Sequence, residues 1–357
     1  MTVLIAAGGT GGHVYPALAV AEWLRARGAR VIWLGTTDGI ESRLVPAAGF
    51  ELHELKARGL RGKGIAGWLE APIMIAAAVL RALAMIRRER PHVVLGMGGY
   101  VSGPGGIAGR LLGLPLVVHE QNAIPGLTNR VLARIASRVL EAFPHSFAAR
   151  SDAIHVGNPV RDSIAQLPPP AERLAGRTGG LRLLVLGGSQ GARALNQVLP
   201  ATLSALGAEL QAQVRHQAGD RELDLTHKAY AHEGVEADVC AFIEDMAEAY
   251  GWADVVVCRA GAMTVTELSA AGVASVLVPF PFAVDDHQTL NARALERAGA
   301  ALLVPQVELT SGHLAGVLTQ LAKSRTRLVQ MAEAARRLAM PDAAAAVGRC
   351  CLELAHA

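Results

Sequence analysis

A chain of 357 residues exceeds what one hydrophobic core usually supports, so its length points to two domains of ordinary size. With 34 basic and 31 acidic residues the formal net charge is only +3, and basic residues cluster only at Arg87-Arg88-Glu89-Arg90, which argues against a nucleic-acid partner. Cys240, Cys258, Cys350 and Cys351 form no CxxC pair and no metal-ligand spacing with histidine, which suits a reducing compartment better than a disulfide scaffold.

The chain opens on Thr2-Val-Leu-Ile-Ala-Ala7, a predicted strand. No basic residue precedes it and it is too short for a signal-peptide core, so a cytoplasmic location is expected. Gly8-Gly-Thr-Gly-Gly-His-Val-Tyr-Pro16 follows as a turn, and Ala17-Leu-Ala-Val-Ala-Glu-Trp-Leu24 has helical periodicity. Pro16 falls early in that helix, where its missing N–H does little harm. Further strands are predicted at 31–35, 92–95, 116–119 and 153–156, with helical stretches between them. Such alternation calls for a parallel sheet covered by helices on both faces.

Residues 71–86 form the most apolar stretch of a chain whose mean hydropathy, +0.30, is itself high. Arg81 interrupts it, leaving no uncharged run near the roughly 20 residues needed to span a bilayer. Trp68 at one end and Arg87-Arg88 at the other leave two readings open. One is a core helix; the other is a helix lying in the headgroup plane, where each basic group adds about 1 kcal/mol near an anionic surface.

Leu167-Pro-Pro-Pro170 and the glycines up to Gly180 read as an interdomain connector. Beyond it the opening order of strand, glycine turn and helix returns at residues 181–199. Strands are predicted there at 181–186, 213–216, 239–242, 255–258, 275–278 and 301–304. Two doubly wound domains result, and in such folds ligands bind beyond the carboxyl ends of the strands.

Three loops at those ends are glycine-rich: 8–12, 96–106 and 187–191. Glycine lets backbone N–H groups approach an anion closely, and a following helix turns its positive end toward it. None is a Walker loop, and Val14 stands where the third glycine of G-x-G-x-x-G would fall. A carboxylate for a cofactor ribose is delayed to Asp38, beyond the second strand, which disfavours NAD. In Cys258-Arg-Ala-Gly-Ala-Met-Thr-Val-Thr-Glu267 a strand runs into a helix whose first turn offers free N–H groups, Thr264 and then Glu267, suited to a phosphate and a diol. His119-Glu-Gln-Asn122 and Asp285-Asp-His-Gln288, with Asn291 downstream, also end strands; capping and ligand contact are both open to them, and no zinc-like spacing links their histidines.

Gly8-Gly-Thr-Gly-Gly-His13, Gly98-Gly-Tyr-Val-Ser-Gly-Pro104, His119-Glu-Gln-Asn122, Gly187-Gly-Ser-Gln-Gly-Ala192, Cys258-Arg-Ala-Gly-Ala262 with Glu267, and Asp286-His-Gln288 together resemble the MurG family of bacterial peptidoglycan glycosyltransferases. The match keeps the family's order over residues 3–300; Ala260 stands where some relatives have serine. The resemblance implies an α/β, GT-B fold of two Rossmann-like doubly wound domains facing across a cleft. Residues 1–158 would form an acceptor and membrane-binding domain, completed by a returning helix at 341–357, and 159–340 a UDP-GlcNAc-binding domain. It implies inverting transfer of GlcNAc from UDP-GlcNAc to the C4 hydroxyl of undecaprenyl-pyrophosphoryl-MurNAc-pentapeptide (lipid I), with no cofactor and no metal.

Carried over residue by residue, Thr10, Gly11, Gly12 and Asn122 would meet the donor from the first domain. Arg161 and Ser189 would hold its phosphates and Ile243 its uracil. Ala262, Met263, Thr264, Val265 and Thr266 would contact phosphate and sugar, Glu267 the ribose and Gln288 the GlcNAc hydroxyls. Gly8, Gly9, Gly98, Gly99, Tyr100 and Ser102 would face the acceptor pyrophosphate. His13 is the expected base, with Glu120 and His119 as alternatives. A lipid-linked acceptor favours the interfacial reading of the apolar stretch, with Trp68, Ile75, Val79, Leu80, Arg87 and Arg88 against an anionic membrane surface. The expected place is the cytoplasmic face of the inner membrane, as a peripheral protein among cell-wall synthesis partners. The alternatives are another GT-B enzyme such as a non-hydrolysing UDP-GlcNAc 2-epimerase, or a nucleotide-sugar-binding or scaffold protein without turnover.

Overall fold

A computed structural model describes residues 1–55, 65–148, 150, 152–188, 191–206, 210 and 212–356, with side chains for all of these except 65–71 and 284. The chain divides into two units, Met1–Arg161 with Met340–Ala357, and Asp162–Ala339.

In the first unit β1 (Thr2–Ala6), β2 (Arg30–Thr36), β3 (Glu51–Leu55), β4 (Val93–Gly96), β5 (Leu116–Glu120), β6 (Arg138–Glu141) and β7 (Ile154–His155) form one sheet in the order 3-2-1-4-5-6-7. All its pairings are parallel, with Ile5 opposite Trp33 on one side and Leu95 on the other. The alternation along β1 divides the core. Val3 and Ile5 join Trp33 and Leu95 in one apolar layer, while Leu4 and Ala6 join Ile32, Leu34 and Val94 in the other. That is why central strands such as β1 and β4 read as unbroken apolar runs. Helix α1 (Gly11–Arg25) buries Val14, Ala17, Val20, Ala21 and Leu24 in the first layer, at the spacing of one helical face. The C-terminal helix Ala343–His356 adds Val347 and Cys351 to the same layer. A Cβ at Gly348 would run into the Trp23 ring, so glycine permits this close helix contact.

The opposite layer is closed by α3 (Ile65–Glu89) and α4 (Ser102–Leu111), after α2 (Glu41–Ala47) has returned the chain to β3. Ala78, Ala82, Met85 and Ile86 face inward from α3. Val79, expected at a membrane surface, is partly buried against this core, because it lies one residue from Ala78 on the packed side. Ile73 (74% exposed), Ile75 (43%) and Leu80 (66%) point outward, and the outward stripe continues into Arg87 and Arg88. Of Trp68 only the helical backbone lies within the description; its side chain lies outside it.

The second unit repeats the plan. β8 (Arg182–Leu186), β9 (Gln213–Gln217), β10 (Asp238–Cys240), β11 (Val255–Cys258), β12 (Ala274–Leu277) and β13 (Ala301–Leu303) lie parallel in the order 10-9-8-11-12-13. Two strands, β3 and β6, fall outside the set predicted from sequence. The proline-glycine segment 167–180 is also not the connector. It belongs to the second unit, where Arg177 donates to the buried Asp254 carboxylate at 2.8 Å and to the Gly251 carbonyl at 2.6 Å. Asp254 also accepts from Arg325 at 2.5 Å and from the Arg182 amide at 3.0 Å, and these donors hold its carboxyl below the ordinary aspartate value despite burial.

Candidate functional site

In the first unit the candidate residues gather where β1, β4 and β5 end, beside the point at which the strand order reverses. After β1 the chain turns through Gly8, Gly9 and Thr10 into α1. The Thr10 carbonyl accepts from the amides of His13 and Val14, while the first amides of the helix, at Gly11 and Gly12, have no helical acceptor. The turn is held from below by a residue with no place in the sequence-derived site. Glu41, fully buried, accepts from the Gly9 amide at 2.9 Å, the Thr36 amide at 2.9 Å and the Thr36 hydroxyl at 2.6 Å. A Cβ at Gly8, Gly35 or Gly39 would strike its side chain. A lone carboxylate after Gly39-Ile40 carries no motif; its only sequence signal is this trio of glycines in its neighbourhood.

Several glycines assigned to a pyrophosphate are therefore required by packing. Gly9 spends its amide on Glu41 and so does not offer it to a ligand. Gly99 abuts the backbone of Gly8, and a Cβ at Gly98, whose φ is +93°, would lie 2.5 Å from Nδ1 of His13. Ser102 is corrected outright: it is fully buried, with its hydroxyl shared between the carbonyls of Ala6 (2.6 Å) and Gly98 (2.7 Å). Tyr100 remains exposed at the loop tip.

The two alternative bases are likewise locked inside. Glu120 is buried and accepts from the Asn122 amide and side chain, the Gly126 amide and the Asn129 side chain, so it braces the loop after β5. His119 has no exposed surface and its Nε2 lies 2.9 Å from the Gly157 carbonyl. Burial lowers its pKa below the ordinary histidine value, against an opposing pull from that carbonyl and from Glu120. His13, by contrast, is half-exposed at the start of α1, with Nδ1 3.1 Å from Oε1 of Gln121. Arg161 closes the first unit, rather than opening the second, and its guanidinium lies 5.3 Å from the centre of the Tyr15 ring.

In the second unit, Ala262 begins the helix Ala262–Ala271 after extended Gly261, with no side-chain cap on its first amides. Met263, Thr264 and Glu267 are half-exposed, and the Tyr250 hydroxyl donates to Glu267 at 3.1 Å. Val265, expected to contact phosphate and sugar, is buried and spends its amide on the Gly261 carbonyl. The Thr266 hydroxyl donates to the Ala262 carbonyl at 2.8 Å. Ile243 donates its amide to buried Gln217 at 3.0 Å and lines a cavity of about 210 Å³. Gln288 accepts from the Phe280 amide at 2.9 Å, just after Asp285 and Asp286, whose φ values are 53° and 52°. Asn291, buried, donates to the Ala260 carbonyl at 3.2 Å. Ser189 lies outside the described residues.

Among the described residues, one group has metal-ligand spacing, Glu51, His53 and Glu89 on β3 and α3. Arg30 already pairs with both of its carboxylates, at 2.7 and 2.9 Å.

Two doubly wound parallel sheets, each with glycine-rich turns at its strand ends, form an architecture that many functions share, and comparison with known proteins gives the class, a glycosyltransferase. The model of the glycosyltransferase family 28 N-terminal domain matches residues 3–141, and that of the family 28 C-terminal domain residues 182–347. A protein of Alkalilimnicola ehrlichii named UDP-N-acetylglucosamine--N-acetylmuramyl-(pentapeptide) pyrophosphoryl-undecaprenol N-acetylglucosamine transferase is 56% identical, covering 100% of this chain and 99% of that one. A protein of the same name from Halorhodospira halophila is also 56% identical, over 99% of each chain. The crystal structure of Acinetobacter baumannii MurG superimposes with a TM-score of 0.84 at 40% identity, covering 99% of both chains. The chain belongs to the MurG family of glycosyltransferases. A kitacinnamycin glycosyltransferase, 18% identical with a TM-score of 0.70, shares the fold.

Proposed function

We propose that this chain transfers N-acetylglucosamine from UDP-N-acetylglucosamine to the C4 hydroxyl of the N-acetylmuramoyl sugar in lipid I, with inversion and without a metal. Full-length identity to transferases of that name supports the donor and acceptor. The observation that carries the chemistry is the placement of His13, half-exposed beside the unpaired first amides of α1, while His119 and Glu120 are sealed in the interior. His13 takes the proton of the acceptor hydroxyl as its oxygen forms the bond to the anomeric carbon, and UDP leaves with the electron pair of the broken bond. General-base help of this kind contributes about 10²–10⁴ in rate. The amides of Gly11 and Gly12 and the Arg161 guanidinium supply positive charge to pyrophosphate. In the second unit, the start of helix Ala262–Ala271 serves the donor phosphates and Glu267 the ribose.

The acceptor's polyprenyl tail stays in a bilayer, so we also propose peripheral binding to the cytoplasmic face of the inner membrane. Among the described residues no helix is long and apolar enough to cross a membrane. The outward Ile73, Ile75 and Leu80 of α3, ending in Arg87 and Arg88, support an interfacial mode. The curated relatives are named as transferases, so no observation favours an epimerase. The decisive assay is UDP release with and without lipid I in detergent or vesicles. Release that depends on the acceptor, and falls by about 10²-fold or more in His13→Ala with donor affinity kept, is expected. Unchanged turnover in His13→Ala removes histidine from the base role.

A further inference from the structure

Gln121 is buried, with its backbone carbonyl held by the Asn158 side chain at 3.0 Å. Its amide nitrogen donates to the Met97 carbonyl at 2.9 Å and lies 3.2 Å from Nδ1 of His119. A carbonyl oxygen only accepts, so the contact with Met97 fixes which end of the amide is nitrogen. Its second proton lies toward two acceptors of His119, Nδ1 at 3.2 Å and the backbone carbonyl at 3.4 Å, and Nδ1 is bare when the neutral ring carries its proton on Nε2. That agrees with the other ring nitrogen, since Nε2–H donates to the Gly157 carbonyl at 2.9 Å. Burial keeps His119 neutral, as this pattern requires.

With both amide protons committed, only Oε1 of Gln121 faces His13, and it accepts from His13 Nδ1 at 3.1 Å. We infer that Gln121 is a positioning residue that holds His13 as its Nδ1–H tautomer and leaves Nε2 as the nitrogen that accepts a proton. The inference rests on the base role given to His13 above and adds which atom acts and what selects it. Each hydrogen bond in the series from Gly157 through His119 and Gln121 to His13 has one compatible polarity, so the selection is made by buried backbone rather than by solvent. Gly98 completes it. With no Cβ to obstruct the ring edge, its backbone lets Nδ1 sit against the loop and turn toward Gln121.

The test uses the full-length chain with ¹⁵N-labelled histidine and long-range ¹H–¹⁵N correlation, His13 being assigned by the signals lost in His13→Ala. The expected spectrum shows His13 protonated at Nδ1 at neutral pH. A His13 protonated at Nε2, or averaged between the two forms, overturns the inference, and the tautomer is read on the unaltered chain. In Gln121→Met, which keeps side-chain length without the amide, the preference for Nδ1–H disappears. Its kcat falls about 10- to 100-fold with the KM for UDP-N-acetylglucosamine within about twofold, the range typical of partners that orient a functional histidine. A Gln121→Met variant that keeps both the tautomer and kcat also overturns it. Should His13→Ala turn over normally while the spectrum shows Nδ1–H, the base role fails and the tautomer assignment stands, so the two are separable.

Discussion

The Gly9 amide donates to Glu41 across 2.9 Å, tying the first residues of α2 to the loop that ends β1. The same carboxylate takes two more bonds from Thr36 at the end of β2, so one side chain fixes the ends of two adjacent strands. Glu41→Gln would turn an NH₂ group toward backbone or hydroxyl donors. We expect it to lower unfolding stability by about 2–3 kcal/mol, the cost of leaving a buried donor unsatisfied, in urea denaturation followed by circular dichroism. A variant as stable as the parent would show that the loop does not depend on this carboxylate.

Gly98 and Gly99 are adjacent and both have positive φ, yet their replacement by alanine should fail in different ways. At Gly98 the new methyl meets the His13 ring, a side chain able to rotate away, whereas at Gly99 it meets the backbone of Gly8. Gly98→Ala should keep a cooperative melt, lowered by the roughly 1–2 kcal/mol that left-handed backbone costs an L-residue, and lose most of its turnover. Gly99→Ala should lose the fold of the first unit, read as a lost or broadened thermal transition. Equal thermal losses in both would contradict this division.

Stability should fall in mild acid because of a histidine remote from the proposed chemistry. His216 is buried between the Tyr230 hydroxyl (2.9 Å) and Asn196 (3.0 Å), and burial pushes its pKa down to about 4. The unfolded chain binds a proton near the ordinary histidine value of about 6.5, so it gains protons before the folded chain does. Stability is therefore held above about pH 6.5 and lost progressively down to about pH 4, by on the order of 3 kcal/mol. His119, lowered in the same direction, adds to the slope. Denaturant midpoints at a series of pH values check this, and His216→Phe should flatten the curve.

On α3, neighbouring residues should separate binding from folding. Ile73→Glu with Leu80→Glu alters two exposed side chains and should weaken sedimentation with anionic vesicles roughly tenfold or more at unchanged melting temperature. Val79→Asp, placed against the core, should instead lower the melting temperature. Vesicle binding unaffected by the double change would move the membrane surface elsewhere.

Much of this architecture is readable in the chain because buried parallel strands are unbroken apolar runs, as in Val255-Val-Val-Cys258, and glycines mark their ends. β3, Glu-Leu-His-Glu-Leu, escapes notice because three of its five residues are polar and adjacent His53 and Glu54 break any alternation, and β6 because only Val139 and Leu140 are apolar. The candidate site is legible as a set of loops but not as directions of side chains. Ser102 and Val265 sit within motif segments yet face inward, and Glu41 braces the site from outside any motif. Which way a polar group turns is settled by partners distant in sequence, as with Gln121 and Met97, and no local spacing encodes that. The segment 167–180 misleads for a related reason: its prolines and glycines suggest looseness, while Arg173 and Arg177 anchor it.

The contact between Gly348 and Trp23 carries a consequence for synthesis. Val347 and Cys351 complete an apolar layer whose other buried members lie within the first 156 residues, so that layer stays open to water until the helix Ala343–His356 leaves the ribosome. Translation at about 5–20 residues per second makes this a wait of many seconds, during which the intervening unit can fold as a self-contained body. The unit made first is thus the last to close, and in the cell the nascent chain must shelter an exposed apolar face for most of its own translation.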